Sequence, residues 1–205
     1  MYNYYKLEEL GIADFEDFNI VYHEINDKLW DRFRKGFISR TEMRWKRMYK
    51  TLLHYKVPNE PLAKDMGERY LDYLPQQTHL MPHAVAILEH CRSKGFEQHI
   101  ITNGFEATQW QKMRNSGIDG FFNKVITSEA AMALKPKPEI YAYALQHTGA
   151  SLQSSIMIGD ALAVDVKGAM DYGMAAIWFN PAGIADASEP RTYEVHSLDE
   201  LFEIL

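Results

Sequence analysis

Residues Ser155 to Ala169 read S-I-M-I-G-D-A-L-A-V-D-V-K-G-A, and the fold class turns on how they are read. Ile156, Met157 and Ile158 form a short apolar run of the kind carried by a strand buried on both faces. Gly159 ends the run, so Asp160 sits just beyond the strand's carboxyl end. Asp165 follows where Val164, Val166, Ala169 and Met170 take up a helical spacing. Strand, turn and helix in that order gather two carboxylates at one rim of a sheet, where open α/β folds bind ligands. Oxygen donors at such a rim suit Mg²⁺, which takes one or two carboxylates and leaves positions for substrate phosphate. Taken alone, the stretch reads equally well as a Gly-Asp turn followed by a first-turn helix charge.

On either side of this stretch the chain has two textures that meet near Pro75. Before it only helices are expected. Phe15 to Lys35 carries an apolar stripe through Phe18, Val21, Tyr22, Ile25, Leu29, Trp30 and Phe33. Ser39 with Glu42 reads as a capping box for a helix that Val57-Pro58 stops, and Pro61 starts another running to Leu74. After Pro75, strands expected at 98–102, 124–127, 155–158 and 175–179 alternate with helices at 82–94, 106–115, 138–147 and 164–172. An edge strand at 193–195 and a last helix at 198–205 follow. Such alternation implies right-handed crossovers and a parallel sheet covered on both faces. The expectation is therefore an α/β chain: a helical part over 1–78 and a Rossmann-like core over 79–205.

Composition narrows the function. Hydrophobic residues make up 46% and charged residues 24%, an ordinary globular balance. Of 22 basic and 28 acidic residues, 13 and 13 fall in residues 1–78, leaving 9 and 15 in the remainder. The acidic body argues against a nucleic-acid surface. The basic run Arg40, Arg44, Lys46, Arg47 and Lys50 is read as the solvated face of a helix, with attraction of an anionic substrate as the alternative. No apolar run reaches the ~18 residues of a membrane span. Cys91 is the single cysteine, so no internal disulfide is expected, and its helical apolar surroundings suggest an inert core thiol in a reducing, cytoplasmic setting.

Two further rim sites stand in order with the first. After Ile100-Ile101 come Thr102-Asn103-Gly104, a hydroxyl and backbone N–H groups that can hold phosphate oxygens, or simply a cap and turn. After Val125-Ile126 the chain reaches Leu134-Lys135-Pro136-Lys137-Pro138, where two prolines fix the backbone around Lys135. A lysine so held is a positioned charge for phosphate or carboxylate, with an ordinary surface lysine as the alternative. Thr after one strand, Lys after the next and Gly-Asp-x₄-Asp after the third, all on one sheet, carry more weight together than singly.

With these residues the chain resembles the haloacid dehalogenase (HAD) superfamily of phosphatases. The second, third and fourth motifs of that family match I-I-T-N-G-F (100–105), L-K-P-K-P-E-I-Y (134–141) and I-G-D-A-L-A-V-D (158–165). The helical part, Tyr22-His-Glu-Ile-Asn26-Asp-Lys-Leu-Trp30 with Gly36 and Arg40-Thr-Glu42, is similar to the cap of the pyrimidine nucleotidase subgroup. The resemblance implies a Mg²⁺-dependent hydrolase of phosphate monoesters, nucleoside 5′-monophosphates in particular, working as a monomer or homodimer. It implies Asp160 as a Mg²⁺ ligand, with Asp165 completing the metal site and orienting metal and Lys135. Thr102 would hold the transferring phosphoryl group with Asn103 and Gly104, and Lys135 would balance charge between phosphate and nucleophile. Asn26 and Trp30 would meet the nucleoside, Trp30 being equally readable as bundle core. A halide-releasing hydrolase is the poorer fit, because both acidic residues of the fourth motif are kept.

In this family a first motif, D-x-D-x-T, supplies the aspartate nucleophile and the acid/base at the end of the first core strand. No D-x-D-x-T occurs in the 205 residues, and Met1 looks already inside the first cap helix. The expectation is a chain truncated at its N-terminus, without its first core strand and unable to form an aspartyl-phosphate. A central strand of ~5 residues buries 4–5 side chains at ~1.5–3 kcal/mol each, on the order of 6–15 kcal/mol in all. Its two neighbours would be left with open edges. The other readings are a non-catalytic Mg²⁺ or phosphate-binding relative, and a first strand supplied by a separate polypeptide.

Overall fold

Asp14, Ser39 and Asn59 each open a helix in the first part of the chain. Their side chains accept from the backbone N–H of Glu16, Glu42 and Leu62, groups that otherwise have no intrahelical partner. Glu42 returns the bond to the Ser39 N–H, completing the capping box. The Lys46 ammonium, joined by these Ser39 contacts, holds the Glu42 carboxyl down to about 2. The helices are α1 (Phe15–Arg34), α2 (Arg40–His54) and α3 (Glu60–Tyr73). The structure, a computed structural model, describes residues 1–186 and 190–205, and divides into units over 1–76 and 77–205.

In the first unit Phe18, Tyr22, Met48, Leu52, Ala63 and Met66 form one apolar cluster, and Leu29, Ile38 and Met43 another. Gly67 lets α2 and α3 touch: a Cβ there would lie 2.8 Å from the Arg44 carbonyl oxygen. Two expectations are corrected. The chain does not start inside a helix. Residues 1–14 form turns and a short 3₁₀ segment, Leu7–Leu10, closed by Gly11 at φ 87°, and Leu7 and Ile12 are wholly buried in the first cluster. Nor is the basic run of α2 uniformly solvated. Arg47 is buried, its guanidinium 4.4 Å above the Tyr70 ring and donating to the Arg44 carbonyl and to Asn26 Oδ1.

The second unit alternates α4 (Ala84–Ser93), β1 (His99–Thr102), α5 (Glu106–Asn115), β2 (Lys124–Thr127), α6 (Pro138–Thr148), β3 (Ile156–Gly159), α7 (Lys167–Asp171), β4 (Ala175–Phe179) and β5 (Tyr193–Val195). All pairings are parallel, as a strand–helix alternation requires. The strands do not form the single sheet expected: β1–β2 is one sheet and β3–β4–β5 another, so β1 and β3 are both edges. Side chains nevertheless join them, since Ile101 of β1, Ile126 of β2, Met157 of β3 and Trp178 of β4 belong to one apolar cluster with α6 and α7. The helix expected at 164–172 is a π-helical turn, Leu162–Val166, running into the short α7. The expected last helix is 3₁₀ over Leu198–Glu203. Cys91 is buried, which pushes its thiol up, and among the described residues no helix is long and apolar enough to cross a membrane.

Gly67→Ala should destabilise the chain by about 1–3 kcal/mol in urea unfolding, because the new methyl meets backbone rather than a yielding side chain. Gly120→Ala, whose Cβ would meet nothing within 4 Å, serves as the matched control.

Candidate active site

Lys135 is the hub of the rim. Its main chain is clamped by Asn103, whose Oδ1 accepts from the Lys135 N–H at 2.7 Å and whose Nδ2 donates to the Lys135 carbonyl at 2.9 Å. The loop after β1 thereby fixes the loop after β2. The Lys135 ammonium donates to the Ile101 carbonyl at 2.8 Å and pairs with Asp165 Oδ1 at 2.7 Å. That second contact ties in the loop after β3. Lys135 and Asp165 are only 8% and 6% exposed, so each charge depends on the other. An ammonium has three donors, and among the described residues two are accounted for.

Two glycines give these groups room. A Cβ on Gly159 would lie 2.4 Å from Asp165 Cβ and 2.5 Å from its Oδ2, so any side chain there would expel the carboxylate. A Cβ on Gly168 would lie 2.5 Å from the Tyr141 hydroxyl and 2.9 Å from Pro136 Cα, where the cis Lys135–Pro136 peptide passes. Asp165 Oδ2 also accepts from the Ala161 N–H at 3.3 Å. Tyr141, buried and with its phenol pushed up by that burial, donates to the Val164 carbonyl at 3.1 Å and supports the π turn.

The structure therefore brings Thr102, Asn103, Gly104, Lys135, Asp160 and Asp165 into three neighbouring loops, with roles that differ in detail from expectation. Thr102 Oγ1 accepts from the Gly104 N–H at 2.9 Å, so that N–H is engaged within the loop while the Thr102 hydroxyl can still donate. Asn103 works through its side chain on Lys135. Asp165 has both oxygens occupied. Asp160 is exposed and its carboxylate has no partner among the described residues, while its carbonyl accepts from Trp178 Nε1 at 3.1 Å. Asn26 and Trp30 lie in the first unit. There Asn26 meets Arg47, and Trp30 packs on the Leu29 cluster with its ring 5.8 Å from that of Phe33.

No group of three or more His, Cys, Asp or Glu gathers for a metal among the described residues. The hard-oxygen donor at hand is Asp160, with Asp165 behind it. This fits Mg²⁺, which keeps several waters and accepts one or two carboxylates. Trp178 and Tyr141 escaped the sequence reading. The β3–β4 register, visible only in the structure, sets Trp178 opposite Gly159, a large side chain against none.

Fold, motif order and rim geometry define a class, and a profile of the haloacid dehalogenase-like hydrolases matches residues 7–179. The chain belongs to that family. It is 30% identical over 201 residues to the pyrimidine 5′-nucleotidase PynA of Streptococcus pneumoniae, covering 97% of this chain and 84% of that one. It is also 30% identical over 199 residues to the pyrimidine 5′-nucleotidase YjjG of Escherichia coli, covering 94% and 82%. Among solved structures, the HAD-hydrolase YfnB of Bacillus subtilis, bound to magnesium, superposes with a TM-score of 0.85 at 29% identity, covering 97% of this chain and 86% of that one.

Asp165→Asn should cost about 3–5 kcal/mol in chemical unfolding, because it leaves the buried Lys135 ammonium without its counter-charge. The double variant with Lys135→Met should recover part of that loss. Additive losses would show that the pair is not coupled.

Proposed function

We propose that this chain handles phosphate monoesters, nucleoside 5′-monophosphates first among them, at the rim formed by Thr102, Lys135 and Asp160, with Mg²⁺ as the cofactor. The observation that carries the reading is the buried Lys135 ammonium, clamped through its main chain and held by Asp165, with one donor uncommitted among the described residues. A fixed cation with a spare N–H suits a phosphoryl oxygen, and phosphoryl transfer needs positioning and charge stabilisation above all. The preference for nucleotides rests on the relatives named pyrimidine 5′-nucleotidase.

In this reading Thr102 donates its hydroxyl to a phosphoryl oxygen while its own oxygen is pinned by Gly104. Lys135 supplies the balancing charge, and Asp165 holds that ammonium in place. Asp160 would hold Mg²⁺, which when bound neutralises phosphoryl charge and orients the group. Both acidic residues of the fourth motif, Asp160 and Asp165, are present, which suits a Mg²⁺-dependent enzyme and favours this over halide release. No D-x-D-x-T lies in the 205 residues, so the carboxylate that attacks phosphorus is not among the groups described. By themselves these residues bind phosphate without turning it over.

Calorimetric titration of the 205-residue chain with inorganic phosphate, with and without Mg²⁺, tests this. Phosphate should bind more tightly with Mg²⁺. Both Lys135→Ala and Asp160→Asn should weaken it about tenfold or more, while nucleotide hydrolysis stays at background. Hydrolysis at ordinary enzymatic rates would overturn the missing-nucleophile reading. Absence of phosphate binding under both conditions would overturn the site.

A further inference from the structure

We propose that Tyr22, Asn26 and Arg47, gathered around the Tyr70 ring in the helical unit, form a site for the carboxylate of a small organic acid. The inference concerns that unit alone and holds whether or not the rim binds phosphate.

The cluster draws on three helices. Tyr22 and Asn26 stand four residues apart on α1 and so share a face. Arg47 comes from α2 and Tyr70 from α3. The Arg47 guanidinium lies 4.4 Å above the Tyr70 ring, whose centroid is 5.9 Å from that of Tyr22. Arg47 Nη1 donates to Asn26 Oδ1 at 3.5 Å, which joins α2 to α1. Asn26 and Tyr70 are half-buried, so the cluster borders the surface on their side.

What the cluster lacks is an acceptor. A guanidinium carries five N–H donors. Among the described residues Arg47 uses two, one to the Arg44 carbonyl at 3.3 Å and one to Asn26, both at the long end of the range. No carboxylate among the described residues pairs with it, although it is only 5% exposed. Tyr22 is 8% exposed, and its hydroxyl is closed off from solvent without a hydrogen bond. Arg47 and Tyr70 lie beside that hydroxyl, yet neither meets it in hydrogen-bond geometry. The groups left over are guanidinium N–H groups, the Tyr22 O–H and the Asn26 amide N–H₂, and all of them can donate. Buried donors around a buried, unpaired charge are unfavourable, and an anion satisfies both at once.

Charge and shape select the anion. One guanidinium among neutral partners balances one negative charge, whereas a phosphate monoester, with about two at neutral pH, would bury a surplus. A carboxylate has two coplanar oxygens that match the parallel N–H pair of a guanidinium edge. Its remaining lone pairs suit the Tyr22 hydroxyl and the Asn26 amide. Stacking on Tyr70 holds the guanidinium in one plane, so the edge is already set for such a partner.

Titration of the isotope-labelled 205-residue chain with sodium acetate, followed by NMR at constant ionic strength, tests this. Saturable shifts are expected at the Arg47 Nε–H and the Asn26 amide, with a dissociation constant of about 1–10 mM. Tyr22→Phe should weaken acetate about threefold or more yet leave the stability of the free chain unchanged, because its hydroxyl has no bond to lose. Arg47→Met should weaken acetate about tenfold or more. Lys135→Ala should bind acetate as the parent chain does, which separates this site from the rim. Absence of saturation below about 100 mM acetate would overturn the proposal. So would equal shifts with sodium chloride, inorganic phosphate binding these signals as tightly as acetate, or acetate binding that Tyr22→Phe and Arg47→Met leave unchanged.

Discussion

The second unit depends on one buried ion pair. Lys135 and Asp165 come from loops after different strands, in different sheets, and their charges meet at 2.7 Å almost wholly removed from water. Taking either charge out of water alone is unfavourable by several kcal/mol, so each loop is held to the position that satisfies the other. The same ammonium reaches the β1 backbone through the Ile101 carbonyl. Three chain segments thus converge on one nitrogen, and the geometry of the rim follows from them.

A fixed cation needs a fixed backbone, and side chains and glycines supply it. The Asn103 amide answers both polar groups of the Lys135 main chain, so the loop cannot rotate without losing two hydrogen bonds. Gly159 and Gly168 leave room for Asp165 and Pro136 at separations no Cβ would allow. In L-K-P-K-P-E-I-Y and I-G-D-A-L-A-V-D-V-K-G-A, the small residues matter as much as the charged ones. The charged residues set the electrostatics of the rim, and the glycines decide whether those charges can be placed.

Much of this was legible in the sequence because it is local. The Ser39–Glu42 box, the parallel pairings, and the order Thr102, Lys135, Asp160 all follow from periodicity and from what ends each strand. The parts that were not legible depend on distant partners. Arg47 sits on a basic helix face, yet its guanidinium is buried on Tyr70, twenty-three positions away, which helical spacing within α2 cannot show. Residues 1–14 carry apolar residues at spacing compatible with a helix. Burial of Leu7 and Ile12 and the left-handed Gly11 make turns of them instead. Gly104 looked like a phosphate donor, and only the structure shows its N–H turned back to Thr102.

The division into two sheets changes how the rim is held. In an unbroken parallel sheet, the ladder of backbone hydrogen bonds would set the spacing between the loops after β1 and β3. Here that ladder stops at β1 and β3. What crosses the seam is an apolar cluster, which is non-directional, and directional contacts: those of Lys135 and the Tyr141 hydroxyl bond to the Val164 carbonyl. Apolar packing keeps the sheets together but tolerates sliding, since contact area changes little with small shifts. The ion pair, its carbonyl contact and the Tyr141–Val164 bond therefore carry the registration of Asp160 and Asp165 against Thr102. Lys135 thus acts as a strut between the two sheets of the core, and its burial follows from those contacts.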